Sequence, residues 1–452
     1  MLHGKSGSSS GTGYRFRRTR QLDKQATSFT VSKYIEDSNV TAKGTCRFCN
    51  AQLQHTFADL GMSPVSNANI REENLKSVEP FYPLHAYVCN NCFLVQLEEF
   101  QAPDDIFNDD YAYFSSYSES WLEHARNYSM MMMERFNFNQ NSLVVEMASN
   151  DGYLLKNFVE KNIPVLGIEP AENCATAARE VGVHSIVEFF GVATANDLVA
   201  KGYRADLLIG NNVLAHVPDI NDFVGGQKIM LADSGVITIE FPHLMRLMEN
   251  NQFDTIYHEH FSYLSLLTVE KIYAAHDLVI FDVDEIPTHG GSLRIYARHD
   301  SDTRKPVTDR VTALRQREIE AGLTDITTYT AFSEQVKETK RKLLEFLIEA
   351  KRSGKTIVGY GAPAKGNTLL NYCGIRNDFL EYTVDLSPHK QGRYLPGTHL
   401  PIRAPEAIRQ TRPDYLLILP WNLKDEIMEQ MADIRSWGGQ FVVPIPEVRV
   451  YP

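Results

Sequence analysis

A chain of several α/β domains, with a small cysteine-bearing unit ahead of two parallel-sheet units, is predicted by three observations. Four of the six cysteines fall in two C-x2-C pairs, Cys46/Cys49 and Cys89/Cys92. From about residue 142, strand-like apolar runs alternate with helical ones, the pattern of a parallel sheet wrapped by helices. After Arg352 a second alternation of different sequence begins. The length of 452 residues suits two to four domains.

Taken in order, residues 1 to 40 open "MLHGKSGSSSGTGYRFRRTR", Gly/Ser-rich and then basic, and read as a mobile tail, with a nucleic-acid arm as the weaker alternative. The cysteine region follows, with short strands such as "HAYVCNNCFLVQL". A Tyr-rich bridge, "IFNDDYAYFSSYSES", leads to "WLEHARNYSMMMMERF", whose apolar residues recur at helical spacing. "SLVVEMA" predicts a buried strand, "GYLLKNFVEKN" a helix, "PVLGIEP" a strand, "NCATAAREVG" a helix, and "ADLLIGNN" and "GVITIEFP" further strands. The charged stretch ending in "SEQVKETKRKLLEFLIEAKRSG" reads as a connector helix. "KTIVGYGAPAKGNTLL", "LEYTVDLSP", "DYLLILPWN" and "GGQFVVPIP" build the second α/β unit.

Bulk properties exclude several classes. The chain is 43% hydrophobic and 23% charged, ordinary for a globular protein. A net charge of −12 argues against nucleic acid as the main partner, while leaving room for a local basic pocket. No apolar run reaches membrane-spanning length and the N-terminus lacks a signal-peptide core, so the expected setting is the cytoplasm, with no membrane partner. Cysteines in that compartment point to metal or free thiols rather than disulfides.

Two C-x2-C knuckles present four thiolates to one tetrahedral ion, so Cys46, Cys49, Cys89 and Cys92 predict a closed, structural zinc site. Cys174 and Cys373 stand alone as packing residues. In "VVEMASNDGYLL" a strand ends near Glu146, a tight loop carries Ser149 and Asn150, and Asp151-Gly152 opens a helix. Glu169 ends the next strand, where an acidic residue accepts bonds from ribose hydroxyls. The first loop is not G-x-G-x-x-G, which disfavours a nicotinamide dinucleotide. S-adenosylmethionine, a cation without phosphates, suits these acidic surroundings. Another ligand of a generic doubly wound domain is the alternative. A third loop, "GNNVLAHVPD", brings Asn211 and Asn212 to the same crevice.

These motifs, with "YHEHFSY", "HGGSLR", "GYGAPAKGNTLL" and "VDLSPHKQGRYLPGT", together resemble bacterial C-methyltransferases acting on nucleotide-linked 4-keto-6-deoxy sugars in deoxysugar biosynthesis. The resemblance implies three parts, a zinc-binding domain (41–105), a Rossmann-like S-adenosylmethionine domain (106–305) and a Rossmann-like α/β domain that helps hold the sugar nucleotide (353–452), to which the sequence adds the tail (1–40) and the connector (306–352). It also leans towards a monomer. Two departures stand out: Ala148 where the family often has glycine, and the long tail before Gly44.

The family's chemistry gives "TIYHEHFSY" a meaning. A base removes a hydrogen from the carbon beside a ketone, and the enolate attacks the sulfonium methyl. Histidine titrates in the right range, and a neighbouring carboxylate can orient its ring. By resemblance His260 is the base, with Glu259 and Tyr257 beside it, and His216 and Tyr111 facing the sugar; His258 is flanking. Gly290 and Gly291, after His289, allow close backbone approach, and Arg294 could meet a phosphate or sugar oxygen. Tyr360, Gly361, Lys365, Gly366 and Asn367 sit in a turn at a helix start, an anion site or a plain tight turn. Lys390 and Arg393 add charge for a diphosphate. The expected acceptor is C3 of a dTDP-linked sugar. Alternatives are C5, a GDP- or CDP-linked sugar, O- or N-methylation, and a non-catalytic zinc-knuckle module with a degenerate methyltransferase fold.

Overall fold

The structure is a computed structural model, and it describes residues 44–100, 114–117 and 119–452. The tail over 1–40 and Tyr111 lie outside the described residues. The two cysteine knuckles are built alike. Asn50 N donates to Cys46 O at 2.9 Å and Phe93 N to Cys89 O at 2.9 Å. Asn50 and Phe93, each directly after the second cysteine, have left-handed backbones with φ 59° and 66°. Strands β1 (His55–Ser63), β2 (Tyr82–Val88) and β3 (Val95–Leu97) form an antiparallel sheet around them.

The central sheet is laid down by β4 (Val144–Met147), β5 (Val165–Ile168), β6 (Ser185–Ile186), β7 (Ala205–Asn211) and β8 (Leu231–Pro242). These five run parallel in the order β6-β5-β4-β7-β8. The chain winds outward from β4 in one direction and then from β7 in the other. A crevice therefore opens at the carboxyl ends of β4, β5 and β7. The short strand β9 (Ser262–Tyr263) leaves this domain and pairs with β3, so the end of the "YHEHFSY" motif is stitched to the cysteine sheet.

Strand–helix alternation does not imply the antiparallel pair β10 (Leu278–Ile286) and β11 (Ser292–His299), which completes the central sheet beside β8. Its register sets Arg294 directly opposite Glu240. Both are buried, and Arg294 Nε donates to Glu240 Oε1 at 2.7 Å. Burial works to raise the Glu240 carboxyl, and His124 and Arg294 outweigh it and hold the group low. Arg294→Ala leaves that carboxylate buried without its cation, and should cost about 3–5 kcal/mol in stability, read by denaturant unfolding.

The third sheet is β12 (Ile357–Tyr360), β13 (Thr383–Val384), β14 (Ile402–Arg403), β15 (Tyr415–Ile418), β16 (Gln440–Val443) and β17 (Arg449–Tyr451). Its order is β14-β13-β12-β15-β16-β17, parallel apart from the last strand. Winding reverses between β12 and β15, so a second crevice lies at the start of helix Ala364–Cys373.

The stretch between the two α/β units is more than a spacer. It holds two helices, Asp309–Glu320 and Ile326–Arg352. The longer helix stacks Phe332 on Phe57 of β1 at 4.7 Å and Tyr329 on Phe93 at 5.7 Å. The shorter one buries Glu318, whose carboxylate accepts Leu266 N and Leu267 N at 2.7 and 2.8 Å and caps helix Leu266–Ala274. Among the described residues no helix is long and apolar enough to cross a membrane.

Candidate active site

The four knuckle sulfurs lie within 4.8 Å of one another. Cys46 and Cys92 lie 3.5 Å apart, as do Cys49 and Cys89. That is far too long for a disulfide, yet close to the edge of about 3.8 Å expected of a tetrahedron with Zn–S near 2.3 Å. Gln96 Nε2 donates to Cys46 Sγ at 3.2 Å and Asn91 N to Cys89 Sγ at 3.4 Å, contacts that suit thiolates. These residues fit a structural zinc ion. Cys174 and Cys373 are buried away from it, and burial pushes each thiol up to about 12.

A cleft of about 1600 Å3 runs between all three sheets. At one end lies the crevice of the central sheet. Ala148 and Asn150 have left-handed backbones, φ 54° and 49°, which wraps the loop tightly after β4. Ala148 thus keeps the conformation that a glycine adopts most easily. Glu169 Oε2 accepts Asn150 N and Oε1 accepts Ala171 N, each at 2.9 Å, which fixes the carboxylate at the cleft wall. Asn150, Glu169, Asn211 and Asn212 line the cleft. Glu146, in β4, and Ser149, Asp151 and Gly152, in the loop itself, are buried. Burial first, then Asp151, Glu169 and Glu240, raise the Glu146 carboxyl well above its usual range. Among the described residues Glu146 Oε2, Asp151 Oδ1 and both amide atoms of Asn211 have no hydrogen-bond partner. Glu169 and the unpartnered Asn211 amide, both on the cleft wall, suit a cationic nucleoside. Trp121, Phe189 and Phe190 also line it. Aromatic residues at these positions carried no spacing signal by which the sequence could have revealed them.

The motif "YHEHFSY" forms the cleft wall next to this crevice. Phe261 N donates to Ala215 O at 2.7 Å, tying the motif to the loop that carries His216. His260 Nδ1 lies 2.8 Å from Thr255 O. A carbonyl only accepts, so Nδ1 carries the proton. Nε2 of the neutral ring then accepts from the Tyr257 hydroxyl, 2.8 Å away. The sequence suggested Glu259 as the orienting group, but a backbone carbonyl does that work. Glu259 instead accepts from Asn67 Nδ2 at 2.7 Å, a residue of the cysteine domain. His216 packs edge-on against His260, with ring centroids 4.7 Å apart, and its ring is held by the Glu259 carbonyl. Burial first, then the neighbouring His216, keeps the His260 pKa well below the usual range. Burial pushes His216 down to about 4. His258 turns away, 3.2 Å from Pro83 O, and serves the domain contact.

On the far side the cleft is lined by Lys365, Lys390 and Arg393, with His289 between the two ends. Other expected ligands do not reach it. Arg294 is committed to Glu240, because its place in β11 faces the buried sheet rather than solvent. Gly290 and Gly291 serve packing: a Cβ on Gly290 would meet Gln252 and Trp421, and one on Gly291 would meet Arg246. Tyr360 is buried and donates to Gln430 Oε1 at 3.0 Å. Gly361 takes a positive φ of 90° against Pro420. Gly366 packs on Leu419, and Asn367 is buried inside the helix.

A doubly wound domain with this acidic crevice, beside a four-cysteine cluster, defines an S-adenosylmethionine-dependent methyltransferase with a zinc-binding domain. Comparison with known proteins agrees. Family models described as "Putative zinc binding domain", "Methyltransferase domain" and "C-methyltransferase C-terminal domain" match residues 46–107, 122–283 and 287–446. C-methyltransferase NovU of Streptomyces niveus is 34% identical over 408 residues, covering 90% of this chain and 96% of NovU. The chain belongs to this C-methyltransferase family. Among solved structures, magnesium protoporphyrin IX methyltransferase from Synechocystis PCC 6803 matches with a TM-score of 0.32 at 13% identity, over 39% of this chain and 83% of that one. A methyltransferase from Clostridium acetobutylicum ATCC 824 matches with a TM-score of 0.32 at 12% identity, over 39% and 92%.

Proposed function

We propose that the enzyme methylates the carbon beside the keto group, with C3 as first choice, of a nucleotide-linked 4-keto-6-deoxy sugar carrying dTDP. One observation carries this: a single cleft joins the cofactor crevice, the neutral His260–Tyr257 pair and three cations, Lys365, Lys390 and Arg393. Methylation at carbon needs a carbon acid, which a ketone provides, and three cations suit a diphosphate. When bound, S-adenosylmethionine supplies an electrophilic methyl group on sulfur. His260 Nε2 takes the proton from the carbon, and the C–H electron pair passes into the enolate. Tyr257 turns its hydroxyl from Nε2 to the keto oxygen and donates to the charge that develops there. His216 and, by resemblance, Tyr111 face the sugar, and Glu259 lies beside the base, held by Asn67.

The test is proton exchange followed by transfer. The enzyme is incubated with dTDP-4-keto-6-deoxyglucose in D2O, first without and then with S-adenosylmethionine. Deuterium at C3 by NMR, then a one-methyl mass gain, is the expected result. Exchange at C5 moves the acceptor carbon. Methylation of the GDP- or CDP-linked counterpart alone changes the nucleotide. A mass gain without exchange means O- or N-methylation. Failure to bind S-adenosylmethionine at all would overturn the enzyme assignment in favour of a zinc-knuckle module.

A further inference from the structure

Three consecutive residues link the base to the C-terminal domain. The Trp421 indole Nε1 donates to Asp254 Oδ2 at 2.7 Å. Thr368 Oγ1 donates to Ile256 O at 3.2 Å. Between these two anchors lies Thr255, whose carbonyl accepts from His260 Nδ1. The group that selects the tautomer of the base is therefore pinned on both sides by the domain across the cleft. Asp254 and Thr368 are buried, and Trp421 is 8% exposed. The segment is braced from behind as well: Thr255 Oγ1 donates to Gln252 O at 2.7 Å, and Gln252 Nε2 to Gly290 O at 2.8 Å. The lack of a side chain on Gly290 leaves room for the Trp421 ring, which a Cβ would approach to 2.7 Å. Lys365 Nζ sits 4.5 Å over that ring and donates to Asn422 Oδ1 at 2.8 Å. One indole thus supports both a cation facing the cleft and the anchor of the base.

We propose that Trp421 and Thr368 are positioning residues for His260, so that docking of the C-terminal domain sets the tautomer and aim of the base. A neutral imidazole has two tautomers, and only the one with Nδ1–H leaves a lone pair on Nε2. The preference depends on where the Thr255 carbonyl points. If the anchors loosen, the carbonyl drifts, and a fraction of the rings carries the proton on Nε2 and cannot act. Displacement of a reacting group by about 1 Å can cost up to a hundredfold in rate.

This rests on His260 being the base, and the test separates the two claims. Full-length protein labelled with 15N-histidine is compared as wild type, Trp421→Phe and Thr368→Val. The phenylalanine keeps an aromatic ring under Lys365 and removes only the N–H. The His260 signals are assigned by their loss in His260→Gln. The expected result is a single Nδ1–H tautomer in wild type and a mixture in each variant. kcat should fall roughly ten- to a hundredfold, with KM for the sugar nucleotide little changed. An unchanged tautomer in both variants overturns the proposal, whatever happens to the rate. A raised KM with kcat intact also overturns it, since Trp421 would then act through Lys365 on the substrate. If Trp421→Phe fails to fold, Thr368→Val decides alone. If His260→Ala proves active, the base assignment fails, and the tautomer spectra still judge the positioning.

Discussion

His260→Ala should lower kcat by at least about a thousandfold, within the range contributed by a general base, and leave the affinity for S-adenosylmethionine little changed. The separation follows from geometry. His260 lies on the cleft wall beyond the cofactor crevice, whose strand-end residues are Asn150, Glu169, Asn211 and Asn212. Deuterium exchange into the substrate should vanish together with methyl transfer, because both need the same proton abstraction. The pH profile provides a second check. Burial, and then His216 beside it, depress the His260 pKa, so the ring stays neutral as pH falls through 6.5. The acid limb of kcat/KM should therefore lie below the ordinary histidine value, and residual activity of the variant should lack that limb. A base of low pKa is intrinsically weak. The negative charge developing on the enolate beside it favours the protonated ring and offsets this weakness. Removing the Tyr257 hydroxyl takes away a donor that stabilises the neutral ring, so in Tyr257→Phe the limb should move up. Retention of more than a tenth of wild-type kcat in His260→Ala would transfer the role elsewhere, with His216 the nearest candidate.

Local signals in this chain were legible, and long-range partnerships were not. The knuckles could be read because each ligand pair closes within four residues. The crevice could be read because strand, loop and helix follow one another from Val144 to Val159. Arg294 looked like a ligand because its partner Glu240 is 54 residues away and is fixed only by the register of β11 on β8. Glu259 looked like a partner for His260 because the two are adjacent, yet its bond goes to Asn67, 192 residues away. The true orienting group, Thr255 O, is a backbone atom, and side-chain identity carries no trace of it. Tyr360 misled for a simpler reason: the end of a buried strand is not the same as a cleft wall, and its hydroxyl serves Gln430. Trp421 could not be tied to His260 at all, since Asp254 lies in another domain.

Removing the zinc should abolish activity as well as unfold the cysteine domain, although the metal lies outside the chemistry. Structural zinc supplies about 10–16 kcal/mol of apparent binding free energy in small domains. Without it, four thiols crowd within 4.8 Å and the knuckles lose the ion that joins them. The sheet they hold is not self-contained. Its β3 pairs with β9, so Val95 and Gln96 face Tyr263 and Ser262 at the end of the "YHEHFSY" motif. Asn67 and Pro64, from the segment joining β1 to β2, line the same cleft as His260. The chain of dependence runs from zinc to β3, to β9, and so to Tyr257 and His260. Cys89→Ser, or chelation with zinc release followed by a colorimetric dye, should cause loss of methyl transfer in step with loss of metal. Hydrogen exchange should show protection falling at residues 44–97 and 257–263 while β4, β5 and β7 stay protected. Full methyl transfer by a protein stripped of zinc would break that chain, and would reduce the cysteine domain to an appendage of the active site.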